Sequence, residues 1–492
     1  MTEMQGCTKR TALVLLVTAI GRLSLGSVST NVPLNHWGYA AIDKLTGAGL
    51  IDSAMLGTKP FSRLEMARLI NEADQKAERL GERNRIILGL LDRLRREFKL
   101  EADLLGSSRV GRSDDCIKPI EDPYLRFVHG SKPLDLENQS GQQFDKGNNA
   151  RAGFATRVNA FDRLAFYVHS EFQAASDDTR FDAIELYGKL AIGRFEMEAG
   201  KDSLWWGPGY HGSMLMSNNA APFTMLKVSN PEPIQLPWLL EHLGPFKAVG
   251  FLARLEDNRD HPGTRLTGMR LSVMPYPNLE LGGSRVIMFG GGGVPEIGAR
   301  DYLQIFWPNN IQGSENQLAS VDASWQIPLP RPIPARSAKL YVDYAGEDAA
   351  GIRTYYPLLG LQLGDLFRTG RTDLRVEYAA NSGLFYVHHI YTDGYTYKRR
   401  IIGHAMGTDA QDLFVRVTHY LSPDLALGID FDQQEGNSAG STRPVTRRYG
   451  ADLSWFAPHN WEVRTAYRYE QAGADSASNN NHILDFGLVY NF

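Results

Sequence analysis

Cysteine is almost missing from this chain: Cys7 and Cys116 are the two examples in 492 residues. Cys7 lies in a segment expected to be removed, which leaves Cys116 alone and excludes a disulfide framework or a Cys-x-x-Cys metal or redox site. Nothing around Cys116 activates a thiol, so it reads as structural. An excess of one charge is also missing. Lys and Arg number 52 against 56 Asp and Glu, a formal net charge of -4, which excludes the electrostatic footprint of a nucleic-acid binder or a polybasic membrane-surface protein. No run of 18 apolar residues follows residue 30 and mean hydropathy is -0.30, so no transmembrane helix is expected. One membrane class stays open, because a transmembrane β-barrel faces lipid with only every second residue. Catalytic signatures are absent as well: there is no G-x-S-x-G, H-E-x-x-H or phosphate-binding loop, and Gly290–Gly293 lacks the following Lys-Ser/Thr. His388 and His389 are adjacent and face opposite sides of a strand. His211, His404 and His419 could pair with Asp409 or Asp412, but spacing supplies no nucleophile. The chain reads as a non-enzyme with no catalytic residues, no metal site and no cofactor.

What is present begins with an export pattern. Lys9 and Arg10 precede an apolar stretch from Ala12 to Ile20, followed by Ser24, Gly26, Ser27 and Ser29. That is a signal peptide over residues 1–29, its apolar core too short to span a bilayer. Residues 30–106 then follow a helical period. Trp37, Ala41, Lys44, Leu45 and Ala48 fall near one face, with Gly47 and Gly49 placed to end the helix. Ser62, with Glu65 three positions on, makes a capping box for a second helix whose Leu64, Ala67, Ile70 and Ala73 align. Ile87, Leu90, Leu91, Leu94 and Phe98 line a third, with Arg93, Arg95, Arg96 and Glu97 opposite. The words NHWGYAAIDKLTGAGLI and KPFSRLEMARLINEA resemble an S-layer homology module over residues 33–73, without its glycine-aspartate-glycine turn. That resemblance implies attachment to peptidoglycan or a related wall polymer through residues 31–106. A helix pair that only packs against a barrel mouth accounts for the same residues.

From about residue 120 the period becomes two. Trp461, Val463, Thr465, Tyr467 and Tyr469 alternate with Glu462, Arg464, Ala466, Arg468 and Glu470. Leu164, Phe166, Val168 and Phe172 alternate with Ala165, Tyr167, His169 and Glu171, and Leu425 to Asp432 repeat the pattern. A pleated strand therefore has one greasy and one polar face. A soluble sandwich alternates in the same way, but the polar faces here are heavily charged, as a water-filled lumen allows. The chain also ends HILDFGLVYNF, with Leu484, Phe486, Leu488, Tyr490 and Phe492 on one face, which resembles the C-terminal recognition signal of bacterial outer-membrane barrels. The predicted fold is mainly β: a large antiparallel transmembrane β-barrel of about 16–18 strands over residues 107–492, behind a small N-terminal helical domain. Gly290–Gly293, Pro328–Pro334 and Gly436–Gly440 read as loops or turns within it.

Residues 204–219, LWWGPGYHGSMLMSNN, fit neither period. Trp205, Trp206 and Tyr210 could stack on sugar rings, and Ser217, Asn218 and Asn219 offer donors and acceptors. An inward-folded loop that plugs the barrel and binds nothing explains the same composition. The phrase resembles the Trp-Gly-Pro-Gly…Ser-Asn-Asn signature of the Wzi-type capsule assembly family. Two further matches follow in order, EYAANSG at Glu377–Gly383 and RRIIGHAMGTDAQDLFVRV at Arg399–Val417, and they add Glu377, Tyr378, Arg399 and His404 as candidate polysaccharide contacts. The resemblance implies a barrel of about eighteen strands in the bacterial outer membrane, occluded by loops and a periplasmic helical bundle. It implies a lectin-like role in attaching or assembling capsular or exopolysaccharide at the surface, with outer-membrane lipid around the wall. A peptidoglycan-tethered carbohydrate porin is the alternative, and closure to ions separates the two.

Overall fold

From Cys116 onward the two-residue period builds 18 long antiparallel strands. In chain order these are β1 (Cys116–Gly130), β2 (Gly147–Ala160), β3 (Leu164–Ala174), β4 (Thr179–Ile192), β5 (Phe195–Asp202) and β6 (Phe223–Ser229). They continue as β7 (Pro245–Arg254), β8 (Arg265–Tyr276), β9 (Leu279–Phe289), β10 (Asn316–Pro328), β11 (Ala335–Glu347) and β12 (Tyr355–Leu366). The last six are β13 (Thr372–Ala380), β14 (Gln411–Ser422), β15 (Leu425–Glu435), β16 (Val445–Ala457), β17 (Trp461–Ala472) and β18 (Asn480–Tyr490). Each pairs with the next, and β18 pairs with β1, so the sheet closes on itself. Closure is what lipid demands, because an open edge there would strand unpaired N–H and C=O groups. The computed structural model describes residues 28–106, 116–175, 179–235, 237–295, 315–347, 355–383, 385–436, 444–473 and 480–491. Residues 1–27, most of the segment expected to be a signal peptide, lie outside them, as do part of Gly436–Gly440 and the terminal Phe492.

The alternation resolves as an apolar exterior and a charged bore. Phe166, Phe172, Ile429, Leu484 and Phe486 are exposed on the outside, while Tyr167, Glu171, Arg270, Asp322 and Glu462 are buried inside. Exposed Trp325, Trp455, Trp461 and Tyr276 ring one end of the wall, and Tyr344, Tyr355, Tyr378 and Phe181 ring the other. Aromatics at two levels are the girdles of a membrane barrel. No helix among the described residues is long and apolar enough to cross a membrane. At the first end the strands are joined by short connections such as 193–194, 277–278 and 423–424; at the other, 131–146, 203–222 and 381–410 are long. Short turns inside and long loops outside is the outer-membrane arrangement.

The N-terminal domain docks at the short-turn end and reaches into the bore. Its helices are α1 (Gly38–Gly47), α2 (Arg63–Leu80), α3 (Arg85–Glu97) and α4 (Lys99–Gly106). The helix stops and starts follow local sequence. Gly49 takes φ 78° beyond α1, the backbone that glycine adopts without strain, and its N–H reaches Thr46 O at 2.9 Å. Ser62 Oγ accepts from Glu65 N at 3.1 Å, but the return half of the capping box is missing because Glu65 pairs with Arg68 instead. Ile42, Leu45, Phe61, Leu69, Ile70, Leu91, Leu94 and Phe98 form the core. One expectation is corrected: Arg93 is not on a solvent face. It is buried over the Phe456 ring at 3.7 Å and donates to Pro423 O at 2.7 Å. Gly89 permits that contact, since a Cβ there would collide with Pro423.

Ion pairs hold the domain to the wall. Lys339 and Arg375 reach Asp43 at 2.9 and 2.7 Å, Lys44 reaches Asp373 at 2.8 Å, and Arg157 reaches Glu101 at 2.6 Å. Ser29 belongs to the folded domain although the boundary at residue 29 assigned it to the signal peptide. Its hydroxyl accepts from Leu64 N at 3.0 Å and its carbonyl accepts from Lys189 Nζ at 3.0 Å. His36 packs on Phe98 and contacts Glu97, while Trp37 lies edge-on to Phe456, 5.2 Å away.

Candidate functional site

Two loops rich in glycine and aromatics, 203–222 and 381–410, turn inward and fill the bore. Trp206, Met214, Leu215, Met216, Phe385, Tyr386, Tyr391, Tyr395 and Ile402 are all buried together. Glycine is required where the loops touch, because a Cβ on Gly212 would overlap the His404 ring. The loops are also hydrogen-bonded. Ser217 N donates to Ile402 O at 2.9 Å, Ser217 Oγ to Gly403 O at 2.6 Å, and Asn219 Nδ2 to Ile401 O at 2.9 Å. Arg400 returns two bonds of 3.0 Å to Asn219. Beneath them, Thr58 and Lys59 pair with Trp206 and Trp205, and Gly207 N donates to Gly57 O at 2.8 Å. The loop plug and the helical domain thus meet inside the barrel. Asn219→Ala is expected to lower plug stability by about 1–3 kcal/mol, the cost of stranding buried partners, read as a lower thermal midpoint with heat-modifiable mobility retained.

The ten sequence-predicted residues separate by position. Trp205, Tyr210 and Asn218 line one cavity of about 350 Å³ with Trp37, Tyr39, Lys44, Lys59 and Arg375. Burial pushes Lys59 down to about 8, with Lys339 adding to the effect. Trp206, Ser217, Asn219 and His404 are enclosed in the plug, at 6% exposure or less. Ser217 and Asn219 join one loop to the other through hydrogen bonds, His404 Nδ1 accepts from Met406 N at 3.2 Å, and Trp206 Nε1 is buried without a hydrogen-bond partner. Burial holds His404 below the usual histidine range. Glu377 faces inward on β13 and accepts from the N–H groups of Tyr210, His211 and Gly212 at 2.8, 3.0 and 3.1 Å. It is a clamp rather than a free ligand. Tyr378, its neighbour, points to the outside and so cannot share a lumen site. Arg399 is exposed on the 381–410 loop.

A cleft that sequence reasoning missed opens at the loop end. It has a volume of about 190 Å³ and is lined by Arg151, Arg180, Lys201, Lys398 and Arg400, with Gln142, Gln143, Gln173 and the single carboxylate Asp182 among its other residues. Arg151 is held by Glu171 at 2.8 Å and Arg400 by Asp135 at 3.2 Å, while the Lys201 ammonium sits 3.7 Å from Asp182. Five cations from β2, β4, β5 and the 381–410 loop share this mouth, so no local motif announces it. A second grouping, of which the sequence offered only the His211 and Asp412 pair, surrounds His211, whose ring stacks on Phe414 at 4.1 Å and 5°. Burial opposes a charge on that ring, but Asp412, Asp432 and Glu137 outweigh it and raise its pKa to about 10.

Comparison with known proteins agrees with this architecture. The family model described as capsule assembly protein Wzi matches residues 128–483. The chain is similar in structure to Wzi of Escherichia coli, described as an outer-membrane protein involved in group 1 capsule assembly and a carbohydrate-binding β-barrel. The TM-score is 0.74 at 20% identity, covering 95% of this chain and 100% of that one. It is also 27% identical over 196 residues to an uncharacterized 55.8 kDa protein in the cps region of Klebsiella pneumoniae, a match that spans 39% of this chain and 38% of that relative. The 18-strand wall, the inward loops and a family match running from β1 to β18 lead to one assignment: this chain belongs to the Wzi capsule assembly family.

Proposed function

We propose that this outer-membrane barrel is a non-catalytic, lectin-like protein that keeps capsular or exopolysaccharide attached to the cell surface, holding acidic sugars in the basic cleft at its mouth. The observation that carries this reading is the cleft itself: five cations and three carboxamides face the loop end above a bore filled by the plug. Carboxylates on sugars accept bidentate bonds from guanidinium groups, and carboxamides serve the hydroxyls. One such cleft binds weakly, and a polymer with the same group in every repeat compensates through effective concentration. The carbohydrate-binding description of the Escherichia coli protein supports the same class of ligand. The porin alternative fits less well, because plug and helical domain both occupy the bore. For residues 31–106, the contacts of His36 and Trp37 with Glu97, Phe98 and Phe456 favour docking on the barrel over binding of a wall polymer. Lipid surrounds the aromatic belts of the wall in this reading.

The test begins in cells lacking the gene. Polysaccharide released to the medium at unchanged total amount supports the reading, and polysaccharide still on the cells overturns it. At the residue level, Arg180→Ala with Lys398→Ala is expected to weaken binding of a uronic-acid oligosaccharide to the purified barrel by roughly tenfold or more. Hydrogen bonds to charged groups contribute about 1.5–3 kcal/mol each, and 1.4 kcal/mol is tenfold in affinity. Unchanged titration curves would remove the cleft from the mechanism.

A further inference from the structure

Glu137, His211, Asp412 and Asp432 converge in the wall of the bore from four separate segments: the loop after β1, the 203–222 loop, β14 and β15. His211 Nε2 lies 3.5 Å from Glu137 Oε2, 3.6 Å from Asp412 Oδ2 and 3.8 Å from Asp432 Oδ2. These spacings are too long for hydrogen bonds. They are close to the ligand–ligand separation of a tetrahedral metal centre, about 3.4 Å for bonds of about 2.0–2.2 Å. Nε2 of His211, Oε2 of Glu137 and Oδ1 of Asp432 are each buried without a hydrogen-bond partner, and Asp432 as a whole is 2% exposed. Ligand atoms of these same three residues all lie within 4.8 Å of one another.

Neighbouring donors hold the carboxylates in place while leaving Glu137 Oε2 and Asp432 Oδ1 without a partner. Arg448 donates to Asp432 Oδ2 at 2.7 Å and lies 2.9 Å from Glu137 Oε1, and Gln434 donates to Glu137 Oε1 at 2.8 Å and Asp412 Oδ2 at 2.9 Å. Outer partners of this kind fix carboxylate orientation around a metal. Glu470 sits beyond Arg448 at 2.7 Å.

We propose that Glu137, His211 and Asp432, with Asp412 beside His211, form a divalent transition-metal site that fastens the loop plug to the barrel wall. One imidazole nitrogen among carboxylate oxygens suits a borderline ion such as Zn²⁺ better than Ca²⁺ or Mg²⁺, which take all-oxygen shells. The site stands apart from the basic cleft and its existence does not depend on glycan binding.

The experiment uses the tag-free full chain in detergent, stripped with chelator, dialysed against Zn²⁺ and assayed for bound metal by mass spectrometry. One equivalent of Zn²⁺ per chain is expected, with a higher thermal midpoint, undiminished by excess Ca²⁺. His211→Ala and Asp432→Asn are each expected to lower retained Zn²⁺ at least tenfold. Wild-type protein that retains no Zn²⁺ overturns the proposal, as do variants that retain as much as the wild type. Because either variant can misfold, Co²⁺ is bound to the wild-type chain as a second probe. Tetrahedral Co²⁺ absorption in the visible supports the site, and an octahedral aqua-like spectrum overturns it.

Discussion

Replacing Glu377 with alanine is expected to unseat the plug and convert a closed barrel into an ion-conducting one. The Glu377 carboxylate is 2% exposed and accepts from three consecutive N–H groups, Tyr210, His211 and Gly212, as well as from the Tyr341 hydroxyl at 2.8 Å. The loop folds tightly here, where a Cβ on Gly209 would collide with Gly212 O, and its three consecutive N–H groups are turned to the wall. Each lost bond to a charged group is worth roughly 1.5–3 kcal/mol, and the stranded donors add their own desolvation penalty. Four such bonds come to roughly 6–12 kcal/mol against the seated plug, enough to reverse an equilibrium that favours it by a few kcal/mol. Planar-bilayer conductance reads the outcome directly. Glu377→Gln, which keeps the shape and one acceptor oxygen, should fall between the two. A Glu377→Ala barrel as silent as the wild type, with the same thermal midpoint, would show that the apolar packing holds the plug alone.

Glu101→Ala is expected to release the helical domain, by roughly 3–5 kcal/mol. Glu101 is 1% exposed and bridges Arg63 of α2 to Arg157 of β2, both at 2.6 Å. Arg157, itself 1% exposed, keeps Glu121 at 2.9 Å, but Arg63 would retain only the Glu97 carbonyl and the Phe98 ring. Removing one partner from a buried ionic network leaves a charge that neither water nor protein compensates. The same network gives a pH dependence. Burial opposes ionisation of Glu101, but Arg63 and Arg157 outweigh it and hold its pKa down to about 2, against the usual 4.5. A depressed folded-state pKa means that the stabilisation is fully present above about 4.5 and is lost as pH falls towards 2. Protease sensitivity of residues 28–106 should therefore rise in acid for the wild type and be high at neutral pH for Glu101→Ala. Equal protection of both proteins at neutral pH would place the docking energy in the apolar contacts instead.

The sequence alone determined what depends on neighbours a few residues apart. Alternation over Leu164–Phe172 and Trp461–Tyr469 set strands and their faces, because successive side chains of a strand must diverge. Ser62 and Gly49 set helix ends, because orphan N–H and C=O groups are satisfied locally. The family was legible in the Trp-Gly-Pro-Gly…Ser-Asn-Asn words, since those glycines and amides are constrained by the loop contacts they make. The roles of the residues in those words were not legible. A Trp in a glycine-rich loop has the same local signature whether it stacks on sugar or fills a core, and Trp206 is buried because it packs on Phe251 of the wall and pairs with Thr58 of the N-terminal domain. Arg93 had the spacing of a solvent face until Phe456 and Pro423 covered it. The basic cleft and the His211 cluster were assembled by barrel closure, which brings segments far apart in sequence onto one bore. Charge and burial there belong to the closed barrel and to no stretch of the chain, so tertiary structure alone decided them.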